Sequence, residues 1–439
     1  MTLLAYLIPI WYVLFWLGLR RRLPTLSYPF FWLFFWSTLA LDVIGAPFLI
    51  DEEWLAWSYL FAAASVLIAL LVTALILLHL QSTKSLKTAI VQQAPTVVSD
   101  SSATNKQLVC LLIVSVVLVA AWWRVAGSPL LFRLLDLSNL NESELKAVRT
   151  DMIFGDLRFH WYEPGFTVFP LVMAVLAYHR YLRQPGFKHA LIATLATLYA
   201  AVLGLAFLLK LPMCDLIFAL LATRLYSVRK KFKMTAALLV AVLALGIMTG
   251  LFWLYDPMFF QSDSAQSAAL DRVFLAYART GSMCFVLWPD RYHYLLGTTF
   301  SNPGSILPYT QVDLPGVLFN YAYNTELPGA APAPAFAEGY VNFGWAGVVM
   351  VLFCVCGFIV VCQCWFASVK LDGMRLAFMI VLLATLLEAS MNGMFYNIFH
   401  VRNLPVYAFL VVLMKIGGKG ADYGGAVRHS GPELLAGAR

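Results

Sequence analysis

Apolar runs alternate with short polar segments along almost the whole chain. The runs cover 3–19, 28–50, 54–80, 107–126, 166–182, 190–209, 211–226, 234–255, 339–365, 376–391 and 404–416. Most approach or exceed the ~20 residues that carry an α-helix across a bilayer. Lipid offers backbone N–H and C=O groups no outside partner, so such runs must form helices that satisfy these groups internally. The pattern predicts an all-α polytopic integral membrane protein with about eleven transmembrane helices.

Two long polar stretches break the alternation. Residues 81–106 are Ser/Thr-rich and poor in aromatics, which predicts a flexible linker. They separate helices 1–3, within 1–80, from helices 4–8, within 107–255. Residues 256–338 form a large loop rich in Pro, Gly, Ser and aromatics, followed by helices 9–11 within 339–416 and a Gly-rich tail over 417–439. A loop of that length in a multispan protein points to binding or chemistry. A second loop, 127–165, holds a predicted surface helix opened by Asn139 or Asn141, with Glu142 and Glu144 in its first turn. Within the large loop, Ala268 to Val286 has helical periodicity, predicting a helix that lies on the membrane surface or re-enters it.

Charge sets the orientation. With the N-terminus outside, the cytoplasmic segments collect twenty Lys/Arg against four Asp/Glu, the bias expected of loops kept inside. Both large loops then face outward, with the C-terminus in the cytoplasm. The net charge of +7 is thereby a topology signal that requires no nucleic acid. The first span lacks the basic start and small-residue cleavage site of a signal peptide and reads as a retained helix. Cys354, Cys356, Cys362 and Cys364 lie inside an apolar span at spacings that spread them around a helix, so they read as core or lipid-facing thiols rather than metal ligands.

The candidate chemistry gathers on the outer side. Arg272, Arg279, Arg291 and Arg402 carry guanidinium groups suited to phosphate oxygens; the alternative for them is pairing with acids such as Asp271 and Asp290. Lys210 stands at the outer end of the sixth span, either snorkelling or adding to an anion site, with Asp215 a turn into the seventh. Arg158 and His160 lie just above the fifth span, and His293 and His400 also face outward, each of the three histidines a candidate acid, base, phosphate ligand or hydrogen-bonded interface residue. Glu338 closes the large loop next to Gly339, Tyr340 and Asn342. It is either a general base or an acid favoured in the first turn of a helix. Glu388 must be paired or line a cavity, and Asp42 is assigned to interhelical hydrogen bonding. The chain has no Asp-x-Asp pair, Walker A loop, G-x-S-x-G elbow or HExxH motif, which disfavours metal-bound nucleotide-sugar chemistry. Neither metal nor cofactor is expected.

Three strings then carry a resemblance: LKLP at Lys210, RVFLAYARTGSMCFVLWPDRYHYLLG over 272–297, and PAFAEGYVNFGWAG at the return to the membrane. Over roughly 205–350 the chain resembles Wzy-type oligosaccharide repeat-unit polymerases of bacterial surface polysaccharides. The resemblance implies an inner-membrane enzyme with a fold similar to GT-C glycosyltransferases, acting on undecaprenyl-pyrophosphate-linked repeat units at the periplasmic face. The matching positions are Lys210, Arg272, Pro289 with Asp290, His293, Gly297, and the cluster of Glu338, Tyr340, Asn342, Phe343 and Gly344. The expected roles follow: Glu338 or His293 as base, Arg272 as stabiliser of the leaving group, and Arg279, Lys210, Arg291, Tyr340, Asn342, Arg402, Arg158 and His160 as substrate contacts. Membrane lipids, a chain-length regulator and a flippase are the implied partners. The rival readings are an O-antigen ligase and a lipid-linked oligosaccharide flippase or transporter.

Overall fold

The computed structural model describes residues 2–25, 27–50, 55–82, 101–127, 162–206, 211–228, 275–300, 302, 308–323, 331–369, 371–393, 397, 398, 400 and 403–418. These residues are helical or irregular, with no strand among them. The helices are α1 (Thr2–Leu19), α2 (Pro29–Ser37), α3 (Trp57–Ser82), α4 (Ser101–Ala126), α5 (Val168–Arg183), α6 (Phe187–Gly204), α7 (Leu211–Val228), α8 (Ala276–Leu287), α9 (Leu314–Tyr323), α10 (Ala335–Ser368), α11 (Gly373–Asn392) and α12 (Asn403–Gly418).

Among the described residues, eight helical segments are long and apolar enough to cross a membrane, and two shorter apolar helices, Leu3–Leu19 and Asn403–Ile416, accompany them. The chain is a helical multi-pass membrane protein. The predicted span 234–255, the surface helix of the 127–165 loop, most of the linker and the tail beyond Gly418 lie outside the described residues.

Two clusters of helices build the core. The first centres on α5, which packs against α4, α6, α7 and α11. In the second, α10 packs against α2, α3, α8 and α11. α11 belongs to both and is buried along most of its length, including Phe378, Met379, Ile380 and Leu383. Outward-facing Phe353, Val361, Leu195 and Ile68 remain exposed, the apolar surface that a bilayer solvates.

α8 differs from a surface-lying helix. Thr280 through Phe285 are buried, and the helix packs against α3, α10 and the turn that follows α2. α8 is thus packed into the helical core, with its start at Ala276 and the residues before 275 outside the described set.

That turn after α2 is a π-helical segment, Thr38–Val43, closed by Ile44 N–H donating to Leu39 O at 2.9 Å. Asp42 sits on it, 1% exposed, and its Oδ1 has no hydrogen-bond partner among the described residues. Tyr59 donates its hydroxyl to the backbone carbonyl of Asp42 at 2.5 Å, bypassing the carboxyl. The interhelical hydrogen bond expected of the Asp42 side chain is therefore not made at Oδ1. All seven cysteines are free thiols, with Cys284 and Cys362 buried, and no group of three or more metal-ligating side chains occurs among the described residues.

Candidate functional site

The local sequence AEGYVNFGWAG makes α10 a broken helix. Phe343 (φ −138°, ψ 18°) and Gly344 (φ +62°, ψ −145°) leave helical geometry, dividing a short first piece, Ala335–Asn342, from the long remainder. The break folds the backbone back on itself: a Cβ on Gly347 would stand 1.9 Å from the carbonyl oxygen of Gly339, so only glycine fits there.

A helix break frees carbonyls that need new donors. The chain leaving α8 supplies them. Leu295 N–H donates to Val341 O and Leu296 N–H to Asn342 O, both at 3.0 Å. The side chain of Asn342 completes the join, with Oδ1 accepting from Gly297 N–H at 2.8 Å. Its Nδ2 donates to Thr299 Oγ1 at 2.7 Å and to Glu338 O at 2.9 Å. Thr299 Oγ1, already accepting from Asn342, donates onward to Glu338 Oε1 at 3.3 Å. The result is a directed chain of hydrogen bonds that ends on the carboxyl of Glu338.

Glu338 is 3% exposed and occupies the first turn of α10. Its other oxygen, Oε2, is seated against Gly393, the residue that ends α11 at φ +89°. Behind Gly393, Asn397 Nδ2 donates to Gly393 O at 2.8 Å and to Glu388 O at 3.2 Å, closing the C-terminus of α11. Beside Glu338 lies a cavity of about 20 Å³, lined also by Thr299, Gln311, Asp313 and Asn392. That volume accommodates about one water molecule.

Tyr340 and Asn342, predicted as substrate contacts, are both buried. Asn342 is fully buried, and its carboxamide is occupied by the three contacts above. Tyr340 is 6% exposed, with its ring stacked on Phe285 at 4.2 Å and edge-on to Tyr294 and Trp345. Both build the platform under Glu338. His293 is exposed on the strip between α8 and Thr299 and makes no hydrogen bond among the described residues; it is not part of the Glu338 cavity.

Of the arginines predicted for the site, Arg279 and Arg291 lie among the described residues. Arg279 is half-buried on α8 and engaged in an interaction. Arg291 is exposed, hydrogen-bonds to the Tyr321 hydroxyl and lies over the ring of Tyr321 at 5.5 Å, an arrangement that favours a guanidinium over an ammonium. No ion pair joins it to Asp290 among the described residues. Arg272, Lys210, Arg402, Arg158 and His160 lie outside the described residues.

The structure adds residues that the sequence did not single out: Thr299, Gln311, Asp313 and Asn392 around the cavity, and Gly393 against the carboxyl. Asp313 alone carried a local signal, as an acid just ahead of Leu-Pro at a helix start. Elsewhere, Asp215 on α7 and Glu388 on α11 lie near enough for each carboxyl to feel the other's charge. Burial, first of all, pushes the Cys284 thiol up, and the neighbouring Glu338 charge acts in the same direction. No family model, no curated protein and no solved structure matches the chain.

Proposed function

We propose that the protein is a metal-independent glycosyltransferase of the bacterial inner membrane that polymerises undecaprenyl-pyrophosphate-linked oligosaccharide repeat units on the periplasmic face. The observation that carries this reading is the Glu338 carboxyl: enclosed, held by Thr299, which Asn342 positions at a break in a membrane helix, and bordered by a water-sized cavity. A carboxyl so fixed is a preorganised general base. The donor stores the driving force, because its leaving group is already a lipid diphosphate. Arg279 and Arg291, with Arg272 and Lys210, would stabilise charge on that leaving group without a metal, and apolar surface between helices would receive the polyprenyl chains. The GT-C-like architecture, the periplasmic N-terminus and the cytoplasmic C-terminus belong to the same proposal.

The test is genetic. Glu338→Gln and Arg272→Gln, introduced separately with protein amounts checked by immunoblot, are expected to abolish long polysaccharide chains while single repeats persist. Normal chain lengths in both variants would overturn the assignment.

A second reading has its own support. Asp42, Asp215 and Glu388 place carboxyls inside apolar helices, where ionisable groups commonly mark transport paths. A flippase or transporter would make use of them. Loss of lipid-linked repeat units from the outer leaflet in cells lacking the protein favours transport, whereas their accumulation there favours polymerisation.

A further inference from the structure

We propose that Gln311 and Asp313 receive the acceptor sugar, and that Glu338 draws the proton of its attacking hydroxyl through the cavity behind them. This inference rests on the polymerase reading and specifies its acceptor site. Glu338 is nearly sealed from outside, whereas Gln311 and Asp313, which line the same cavity, are both exposed. Gln311 and Asp313 thus reach from the cavity beside Glu338 to the protein surface. The cavity's volume of about 20 Å³ admits one water and excludes a sugar ring. A buried base acts through one intervening water as well as by direct contact, so the sugar stays at the mouth and only its proton travels inward.

The mouth is held rigidly. Gln311 Oε1 accepts from Asn302 N–H at 3.1 Å, which fixes the carboxamide. Among the described residues no acceptor takes the Nε2 hydrogens of Gln311. Val312 N–H donates to Thr298 O at 2.8 Å, Asn302 Nδ2 to Tyr309 O at 2.6 Å, and the Tyr309 hydroxyl to Phe300 O at 3.1 Å. These bonds tie the segment before α9 to the turn that carries Thr299. The Asp313 carboxylate is packed over Gly316, where a Cβ would meet Oδ2 at 2.4 Å. The Gln311 amide donor and the Asp313 carboxylate, which is already engaged within the protein and keeps further lone pairs, match neighbouring hydroxyls of a pyranose, each of which both donates and accepts.

In the reaction, the acceptor hydroxyl oxygen forms a bond to the anomeric carbon of the donor sugar. The bond from that carbon to the diphosphate oxygen breaks, and its electron pair leaves on the diphosphate. The hydroxyl proton passes to the cavity water, which gives one of its own protons to Glu338.

The experiment uses lipid-linked repeat units extracted from host cells lacking the protein, together with the oligosaccharide released from them by mild acid. Binding of the released oligosaccharide to the purified full chain is measured by calorimetry, and polymerisation of the lipid-linked form is measured alongside. Gln311→Ala and Asp313→Asn are expected to weaken binding at least tenfold, while Glu338→Gln binds like the wild type and does not polymerise. Gln311→Glu, which keeps an oxygen for Asn302 N–H and loses only the amide donor, is expected to weaken binding likewise and serves as the control for folding, because Gln311→Ala also removes that bond and Asp313 also packs at the start of α9. Wild-type binding by both Gln311→Ala and Asp313→Asn, with the wild type active, overturns the acceptor site and leaves the polymerase reading in place. A wild type that neither binds nor polymerises overturns both.

Discussion

Gly393 leaves vacant the space that the Glu338 carboxyl fills: a Cβ on Gly393 would stand 2.5 Å from Oε2. The end of α11 is thus shaped to the carboxyl of α10, and the backbone at Gly393 adopts φ +89°. Gly393→Ala meets two penalties, a positive-φ extended conformation (ψ +151°) essentially reserved for glycine and costing roughly 1–3 kcal/mol, and displacement of the carboxyl. We predict a lower Tm in detergent and loss of long-chain polymer. An alanine variant with wild-type Tm and chain length would show that the seat is dispensable.

Asn342 separates a binding role from a structural one. Its side chain makes three hydrogen bonds in a fully buried position, and truncation leaves the Gly297 N–H and Thr299 Oγ1 without it. Asn342→Ala is expected to destabilise the protein by about 2–4 kcal/mol, combining lost bonds with buried groups left unsatisfied. A substrate contact would instead raise KM at unchanged stability. Thermal unfolding beside steady-state kinetics distinguishes the two.

The sequence exposed the membrane class because hydrophobic runs are a local property, and each described span falls on a run visible in the chain. It also marked Glu338, since an acid beside glycine and asparagine at the edge of an apolar run stands out. It could not assign Asn342 and Tyr340 to the platform under Glu338, because their partners Gly297, Thr299 and Phe285 lie more than forty positions away and are joined only by the fold. Gln311 and Asn392 escaped for the same reason: neither lies in a motif, and the cavity they share forms where distant segments meet. Asp42 drew a hydrogen-bonding assignment from its apolar surroundings, and the π-helical turn that isolates Oδ1 has no local sequence signature.

Asp42 yields a stability prediction. A buried carboxyl oxygen without a partner contributes desolvation cost and no compensating bond. Asp42→Asn keeps the shape and is expected to leave the Tm unchanged or raise it. A marked fall in Tm would reveal a stabilising ion pair or hydrogen bond at the carboxyl.

Cys284 reports on the packing of α8. The thiolate is the reactive form, and burial, helped by the Glu338 charge, raises the thiol pKa, so little thiolate exists at neutral pH. Iodoacetamide should leave Cys284 unmodified in the folded protein at pH 7 and modify it after denaturation, as read by peptide mass spectrometry. Rapid alkylation of the folded protein would contradict the buried placement of α8.

The central claim is that the Glu338 carboxylate performs base chemistry for sugar transfer. Its most direct test is conversion of extracted lipid-linked repeat units into polymer by purified protein, comparing wild type with Glu338→Gln at matched folded concentration. The account predicts a ladder of products from the wild type and single repeats alone from the glutamine variant. An equal ladder from both, or none from a folded wild type, would contradict it.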